Sequence, residues 1–219
     1  DGFADNGNDC DDNEALANPG LEEVCGDGID NDCSADPSEC VLDGQLSLSM
    51  AGVTYSSSRP FSSAGSAVLG GRDLTADGIS DLVVTATSAD FTDFENAGEL
   101  YIVPGDAGVS GTVDLEAAAI TTIQGDAPGD LFAGTLAYAG DLDGDGLDDM
   151  LAGAGFADLG GVDAGAVYLF SGSLSSGAHL ASDAASAVVT GEDAGDFAGF
   201  SMAPVGDVNV DSYGDLAIG

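Results

Sequence analysis

The amino-acid sequence predicts an all-β protein in which propeller-type blades, two complete and one partial, follow a small, disulfide-bonded and loop-rich N-terminal head. Three observations lead to this fold class. A pattern of short apolar runs and turns repeats along the chain, the runs have the length of strands rather than helices, and all four cysteines lie among the first forty residues. We place the head at 1–44 and the blades at 45–219.

The repeat is defined by segments that recur in the same order. The first segment of each unit begins at Val53, Ile120 and Ala187, so both steps are 67 positions (120 − 53 and 187 − 120). A second segment, GELYIV in one copy and GAVYLF in the other, begins at Gly98 and Gly165, again 67 positions apart. A fixed period of this size indicates stacked supersecondary units. The units are about 53–119, 120–186 and 187–219.

Each unit contains short predicted strands between glycine-rich turns. Apolar runs bounded by Gly, Asp or Ser are typical of strands, and they occur at Leu82–Thr87, Leu100–Val103, Met150–Ala154 and Val167–Phe170. The runs are nearly continuous, which indicates strands covered on both faces. The segment Val113–Ala119 is suited to a short helical turn. Four short strands per unit describe a propeller blade, and a β-sandwich or β-helix is the structural alternative.

The charge balance excludes several classes of partner. Forty acidic residues face only Arg59 and Arg72, and the formal net charge is −38. Binding to phosphates needs Lys and Arg, so nucleic acid and anionic membranes are not expected partners. Divalent cations or a saline medium are the expected neutralisers, although a halophile-type surface alone would not space its carboxylates regularly. No apolar run reaches the eighteen residues of a membrane span, and the start at Asp1 fits a mature chain or a fragment.

An acidic nine-residue loop recurs in each unit. The middle copy, DLDGDGLDD, has carboxylates at positions 1, 3, 5 and 9 and glycine at position 6. Alternate side chains of a tight loop point inward, and the glycine permits the turn that brings the carbonyl of position 7 to the same centre. Such hard oxygen ligands suit calcium and not zinc. The predicted ligands are Asp73, Thr75, Asp77, Ile79 and Asp81, then Asp141, Asp143, Asp145, Leu147 and Asp149, then Asp207, Asn209, Asp211, Tyr213 and Asp215.

The three loops differ in their expected affinity. Thr75 and Asn209 replace the carboxylate of position 3, and Ser212 replaces the glycine in the third loop. Fewer charged ligands weaken calcium binding, so we expect the middle loop to bind most tightly. The alternative is that Asp and Gly cap Asx-turns without metal. Three copies at one place in a repeat favour cations, about three Ca²⁺ in the blades.

Two longer segments, DLFAGTLAYAGDLDGDGLDDMLAGAG and DFAGFSMAPVGDVNVDSYGDLAIG, resemble FG-GAP repeats. These repeats are the blade unit of integrin α-subunit propellers and of many bacterial surface proteins. The resemblance covers residues 53–219 and implies a calcium loop between the two inner strands of each blade. The first copy departs from the pattern, because the stretch FSSAGSAVLGGR before Asp73 is longer and lacks the Gly-Asp junction. The prediction of an inner strand is therefore weakest there.

The head has a separate metal-binding pattern. Cys10, Cys25, Cys33 and Cys40 form an even, clustered set, which predicts two disulfides in one of three connectivities and an oxidising compartment. A zinc site of four thiolates would favour C-x-x-C pairs, which are absent. Residues 1–44 resemble the MopE-like metal-binding motif of secreted myxobacterial proteins. Candidate ligands for one or two further cations are Asp9, Asp11, Asp12, Asp27, Asp30 and Asp32, and a solvated acidic arm is the alternative.

Catalysis has little support in the sequence. The one histidine, His179, lies in a Ser/Gly-rich segment that we interpret as an exposed loop, and disulfide-bonded cysteines are not available as nucleophiles. We therefore expect no enzymatic activity. Some carboxylates could imitate a glycosidase pair, but they lie in loops assigned to cations.

Two functions fit these expectations. In the first, the chain is a secreted, calcium-binding structural protein that assembles with itself into an extracellular fibre, tube or surface layer. Its third unit stops after two strands and residues 45–50 (QLSLSM) form one spare strand, and an open blade invites pairing between chains. In the second, the chain is a fragment of a larger bacterial cell-surface adhesin whose FG-GAP propeller binds a protein or glycan. Both functions place the chain outside the cell, without membrane insertion.

Overall fold

A computed structural model describes residues 52–219 except 76, 92, 93, 107, 143, 173 and 211–213, and in the head it describes Cys33. The chain divides into two compact units, Asp1–Ala51 and Gly52–Gly219. Cys33 takes part in a disulfide, whereas the remaining head residues and the strand predicted at 45–50 lie outside the described residues. The two-disulfide head therefore stays a prediction.

The second unit consists of short strands with two single-turn helices. The helices are α1 (Leu115–Ala118) and α2 (Ala181–Ala184). The strands are β1 (Val53–Ser56), β2 (Ala64–Arg72), β3 (Asp81–Ala86), β4 (Glu99–Val103), β5 (Gly111–Asp114), β6 (Thr121–Gln124), β7 (Thr135–Gly140), β8 (Asp149–Ala154), β9 (Ala166–Phe170), β10 (Gly177–Leu180), β11 (Ala187–Thr190), β12 (Met202–Gly206) and β13 (Asp215–Ile218). The four predicted strands correspond to β3, β4, β8 and β9, and the predicted helical turn to α1.

The strands form blade-like antiparallel sheets, as the sequence predicts. The first blade has the strand order β2-β3-β4-β6, and the second has β7-β8-β9-β11. β12 and β13 pair with each other and form a third, two-stranded sheet within the described residues. The outer strand of each complete blade, β6 or β11, belongs to the next unit of the sequence repeat. The sheets are therefore offset from the repeat units by one strand, although the period is the same.

A parallel pairing links consecutive blades, and the sequence analysis did not foresee it. β10, which follows the third strand of the second blade in the chain, pairs in parallel with β6 of the first blade, with Gly177 opposite Thr121. In the same way, β5, which follows the third strand of the first blade, pairs in parallel with β1, with Gly111 opposite Val53. The strand β1 therefore has the position of an outer strand relative to the first blade.

The main core lies between the first and second blades. Val83, Leu100, Ile102 and Ile123 from the first blade meet Met150, Tyr168 and Phe170 from the second, all of them buried. A second cluster around Tyr101 and Leu115 covers the opposite face of the first blade, and a third, around Leu151 and Val167, includes Leu216 of β13. Both faces of β4 and β8 are thus covered, which explains their continuous apolar sequences.

The loop before each inner strand attaches one blade to the preceding one. The backbone N–H of Leu131 donates to the carbonyl of Asn96 at 3.2 Å, and the equivalent N–H of Phe197 donates to Asp163 at 3.1 Å. At Gly98, an added Cβ would lie 2.4 Å from the carbonyl oxygen of Phe132. Only glycine permits this approach, and the 67-residue recurrence at Gly165 has the same cause.

The first inner strand forms despite its unusual sequence. β2 spans nine residues, compared with six in β7. Its pairing with β3 shifts register between Ala64 and Val68 and again between Gly70 and Arg72. These irregularities accommodate the extra residues, since a bulge places two residues opposite one.

Two further sequence expectations can be compared with the fold. His179 was expected in an exposed loop but lies in β10, where its Nε2 is 3.0 Å from the carbonyl oxygen of Ser175. That expectation was wrong because the parallel pairing with β6 orders the segment. Among the described residues, no helix has the length and apolar character needed to cross a membrane.

Removing the aromatic ring between the blades should destabilise the fold. Phe132 is 0% exposed and meets Tyr168 and Phe170 edge-on, with ring centroids 5.4 and 6.2 Å away. We expect Phe132→Ala to lower the free energy of unfolding by about 3–5 kcal/mol. Phe61→Ala is the control, because Phe61 is 94% exposed and should change it by less than about 0.5 kcal/mol. Denaturant titration measures both, and equal effects would contradict the inter-blade core.

A buried carboxyl in the loop before β7 should make stability depend on pH. Burial raises the pKa of Asp130 to about 6, and the charges of Asp126 and Asp158 add to the rise. The folded pKa exceeds the unfolded one, so the stability that is fully present below about pH 4 is lost as the pH rises through about 6. Asp130→Asn should stabilise the protein by up to about 3 kcal/mol at pH 7.5.

At pH 3.5 the same variant should have almost no effect, because Asp130 is then protonated in both states. Asp193→Asn removes an exposed charge and is the control. Unfolding curves at the two pH values measure the difference. A stabilisation by Asp130→Asn that is the same at both values would contradict the raised pKa.

Candidate metal centre

The three acidic loops occupy equivalent places in the fold. Each connects the first and second strands of a sheet: 73–80 joins β2 to β3, 141–148 joins β7 to β8, and 207–214 joins β12 to β13. The residue at position 9 is the first residue of the following strand, as at Asp81, Asp149 and Asp215. The placement between two inner strands agrees with what the FG-GAP resemblance implies.

The carboxylate of position 9 organises every loop. Its Oδ2 accepts the backbone N–H of position 2 from Leu74, Leu142 and Val208, at 2.7, 2.7 and 2.8 Å. In the first two loops this side chain is almost completely buried, with exposures of 2% for Asp81 and 1% for Asp149. A carboxylate held by backbone N–H groups at a strand end fixes the loop before any cation binds.

Positions 1 and 5 are fixed by a second set of turn hydrogen bonds. Asp73 accepts the N–H of Gly78 at 2.9 Å, and Asp141 accepts that of Gly146 at 3.0 Å. The N–H of position 7 donates to position 5 in both loops, from Ile79 to Asp77 and from Leu147 to Asp145 at 2.8 Å. The Asx-turns that were considered as the alternative to a metal site are therefore present, and they are compatible with one.

In the first loop, three carboxylates come close enough to share an ion. Asp73, Asp77 and Asp81 each offer an oxygen, and these oxygens lie within 4.8 Å of one another. Ligand oxygens around one Ca²⁺ lie about 2.3–2.6 Å from the ion, so two of them are at most about 5 Å apart. The hydroxyl of Thr75 is 3.4 Å from Asp81. The fold thus brings the carboxylates of positions 1, 5 and 9 together, and their role as ligands stays a prediction.

The other two loops are described only in part. Asp143, Asp211 and Tyr213 lie outside the described residues, so the complete ligand sets of these loops are not compared. Asp141, Asp145, Asp149, Asp207, Asn209 and Asp215 lie in the loops where they were predicted. The carbonyl roles of Ile79 and Leu147, and the ranking of the middle loop as the tightest, stay predictions.

The six head carboxylates predicted as ligands also lie outside the described part of the chain. They are Asp9, Asp11, Asp12, Asp27, Asp30 and Asp32. Their role rests on the sequence alone.

Two glycines that the sequence analysis did not single out hold the loops against the third strand of each blade. Gly105 donates its N–H to Oδ1 of Asp81 at 2.9 Å, and Gly172 donates to Asp149 at 3.1 Å. A Cβ on Gly105 would lie 2.4 Å from the carbonyl oxygen of Ser80, and one on Gly172 would lie 2.7 Å from that of Asp148. Their separation of 67 residues (172 − 105) equals the repeat period, and it was the sequence signal that could have identified them.

Both arginines neutralise carboxylates around the first blade. Arg72, next to the first loop, places Nε 2.8 Å from Oδ2 of Asp148 in the second loop. The guanidinium of Arg59 lies 3.5 Å from Glu99 and 3.7 Å from Glu116. Backbone N–H groups, the hydroxyl of Ser171 and the amide of Asn209 also donate to the loop carboxylates, but these donors are uncharged. An added divalent cation would therefore relieve much of the repulsion.

Glu99 and Glu116 have opposite responses to this environment. Burial raises the pKa of Glu99. The hydroxyl of Tyr101 and the charge of Arg59 lower this pKa, but by less than burial raises it. Burial also acts to raise the pKa of Glu116, but hydrogen bonds from Ser57, Ser58 and Tyr101 outweigh it and lower the pKa to about 2. The pair joins β4 and α1 to the segment after β1.

A methyl group at Gly105 should disturb the first loop directly. We expect Gly105→Ala to lower the free energy of unfolding by about 1–3 kcal/mol, because the loop backbone must move to admit the Cβ. Gly134→Ala is the matched control, since its Cβ would meet its nearest atom at an ordinary 3.5 Å. Thermal unfolding of both variants measures the effect. Equal melting temperatures would contradict the close packing.

Comparisons with known proteins bear on both parts of the chain. A family model described as a metal-binding motif, of the MopE type and named for copper, matches residues 9–38. The FG-GAP repeat model matches residues 64–103 and 133–170, which include the first and second acidic loops. The comparison with curated proteins found no match. These matches fit a cell-surface or adhesin-like protein, and they confirm the two resemblances: the chain contains two FG-GAP repeats and a MopE-like motif.

Proposed function

We propose that this chain is a calcium-stabilised, non-enzymatic β-blade module of an extracellular surface protein. The observation that carries the proposal is the shared geometry of the acidic loops, with three carboxylate oxygens of the first loop within 4.8 Å of one another. The donors are oxygens from carboxylates and a nearby hydroxyl, which suits a hard cation such as Ca²⁺. About three ions would occupy the blades.

The cation would act on the stability of the blades. Each loop joins two inner strands, and its position-9 carboxylate also binds the backbone after the third strand, at Gly105 or Gly172. An ion held by Asp73, Asp77 and Asp81 would neutralise charge at this junction. Because an ion that binds only the folded state stabilises it by mass action, calcium would hold together a chain whose formal charge is −38.

The family resemblance supports the proposed location and the proposed kind of partner. FG-GAP repeats and the MopE-like motif support an extracellular, bacterial surface location, and the disulfide at Cys33 supports an oxidising compartment. In an adhesin, the blade loops would contact a protein or a glycan. The head would add one or two cations through its aspartates.

A second candidate is self-assembly of the chain into a fibre, tube or surface layer. The observation that favours it is an apolar surface on the last three strands. Val189 of β11 is 52% exposed and Ile218 of β13 is 36% exposed, whereas the equivalent strands β6 and β8 are partly buried and fully buried. Such a surface is typical of an interface.

Calcium should raise the melting temperature of the chain, and EDTA should reverse the rise. At a hundredfold excess over the dissociation constant, each site adds about 2.7 kcal/mol, which corresponds to roughly 5–10 °C for a domain of this size. Asp77→Asn should remove much of the first-loop contribution, because it loses a charged ligand but retains the oxygen that accepts the N–H of Ile79.

Asp183→Asn is the matched control, since it removes one exposed charge outside the loops. Calcium titration by calorimetry, together with thermal unfolding, distinguishes the two variants. The ranking of loops predicts that Asp145→Ala weakens calcium binding more than Asp207→Ala does. A melting temperature unaffected by both calcium and EDTA would contradict the proposal.

A further inference from the structure

Arg72 lies at the junction between the first and second acidic loops. It is the residue before Asp73, position 1 of the first loop, and in the register of β2 and β3 it lies opposite Asp81, position 9 of the same loop. Residues paired in an antiparallel sheet have Cα atoms about 5 Å apart. The backbone of Arg72 is therefore fixed beside two of the three carboxylates that converge in this loop.

The side chain of Arg72 reaches the second loop. Its Nε lies 2.8 Å from Oδ2 of Asp148, which is position 8 and precedes the buried Asp149. The guanidinium also lies over the ring of Tyr138 in β7, 5.9 Å from the ring centroid, a geometry in which a cation is attracted to the ring. One positive charge is thus held between two acidic loops by an ion pair and an aromatic ring.

The surroundings of Tyr138 show that charges from both loops meet at this junction. Burial raises the pKa of Tyr138, and the charge of Arg72 acts to lower it. The charges of Asp81, in the first loop, and Asp148, in the second, both act to raise this pKa further. Because the effect of a charge falls with distance, the guanidinium and the two carboxylates lie around the same tyrosine.

A divalent cation in the first loop would repel this guanidinium. The ion would lie among the carboxylates of Asp73, Asp77 and Asp81, and Arg72 is adjacent to that loop in the chain. A charge of +2 repels a unit positive charge twice as strongly as another unit charge does. The side chain of Arg72 is 54% exposed, so water and salt weaken the repulsion without removing it. Arg72 and calcium therefore compete to neutralise the same carboxylates.

The other arginine has a different environment. Arg59 is paired with Glu99 and Glu116. One of its terminal N–H groups also donates to the backbone carbonyl of Asp90 at 3.0 Å. None of these three residues belongs to an acidic loop. Of the two arginines in the sequence, Arg72 is thus the one whose contacts lie at the loops.

We propose that Arg72 is an internal counter-ion shared by the first two loops, which neutralises their junction at low calcium and lowers the affinity of both loops for calcium. The inference rests on the proposed calcium role and deepens it. As the calcium concentration rises, the bound ions take over the neutralisation that Arg72 provides. The two loops would therefore fill at a higher calcium concentration than their own ligands require.

The first experiment measures calcium isotherms of the full chain by competition with a chelator near physiological salt. Arg72→Gln should raise the affinity of the first-loop site about two- to fivefold, because it removes a positive charge close to the ion. The first-loop site is identified as the one that Asp77→Asn weakens. Arg59→Gln is the matched control, since it removes the same charge away from the loops, and it should change the affinity by less than about twofold.

Replacing the acidic partner of the ion pair should have the opposite effect. Asp148→Asn leaves Arg72 without its counter-charge and removes a negative charge from the second loop, so the calcium affinity should fall by about two- to fivefold. In the double variant Arg72→Gln with Asp148→Asn, the two changes should largely cancel. A purely structural ion pair predicts instead that both single variants lower the affinity and that the double variant does not recover it. That pattern would overturn the proposal.

The melting temperature provides a readout that does not require an affinity. In EDTA, Arg72→Gln should lower it by about 1–4 °C, because the loops lose their neutralising charge. In saturating calcium the difference should become smaller or change sign, since the bound ions supply the neutralisation. A loss that is equal in both conditions, or larger in calcium, would overturn the proposal.

The isotherm of the parent chain separates this proposal from the proposed calcium role. A parent that binds no calcium contradicts the calcium role, and the role of Arg72 with it. A parent that binds calcium with an affinity that Arg72→Gln leaves unchanged or lowers contradicts the role of Arg72 alone. A rise in affinity with Arg72→Gln, together with a fall with Asp148→Asn, supports both.

Discussion

The buried carboxylate at the start of the second strand is the interaction on which each blade depends. Asp81 and Asp149 are carboxyl groups in the protein interior, and buried polar groups are tolerated only when they are hydrogen-bonded. Each is bonded to the backbone N–H of position 2 of its own loop and to the N–H of a glycine after the third strand. One side chain therefore connects three strands, and it does so at the point where further carboxylates converge. The convergence of the carboxylates and the closure of the blade therefore depend on the same side chain.

The packing between blades depends in turn on this closure. With the inner strands fixed, the faces of β3 and β4 present Val83 and Ile102 toward the second blade. The loop before β7 places Phe132 edge-on against Tyr168 and Phe170. Repulsion among carboxylates opposes this packing, and Arg72 relieves part of it by pairing with Asp148 across the two loops. A surface ion pair contributes little by itself. Its value here comes from its position between two acidic loops in a chain with two basic residues.

Much of the blade could be predicted from the sequence, because strands buried on both faces leave continuous apolar runs such as those of β4 and β8. The loop ligands at positions 1, 5 and 9 could also be predicted, since their spacing is set within nine residues. The parallel pairing of β5 with β1 could not, because GTVD and VTYS are short polar-apolar mixtures whose pairing is decided by the neighbouring blade. Gly105 and Gly172 were missed for a related reason. A close contact between segments that are distant in the sequence requires a glycine, and that glycine is the only sign of the contact in the sequence. The helix α2 has no apolar periodicity of its own. It could have been predicted only from its position in the 67-residue repeat, which matches that of α1.

The two complete blades share a geometry but not a chemistry at their junctions, and this difference fixes the order in which they stack. Tyr101 and Tyr168 occupy equivalent positions, yet the first donates to Glu99 and Glu116 and the second to Asp126. The residue equivalent to Asp126 in the preceding junction is Arg59 (126 − 67), which pairs with the same two glutamates. Exchanging the outer segments would place Asp126 against Glu99 and Glu116, three carboxylates without a cation, which burial would penalise strongly. A repeated backbone thus provides similar packing surfaces, while the polar residues at each junction disfavour an exchange of neighbours.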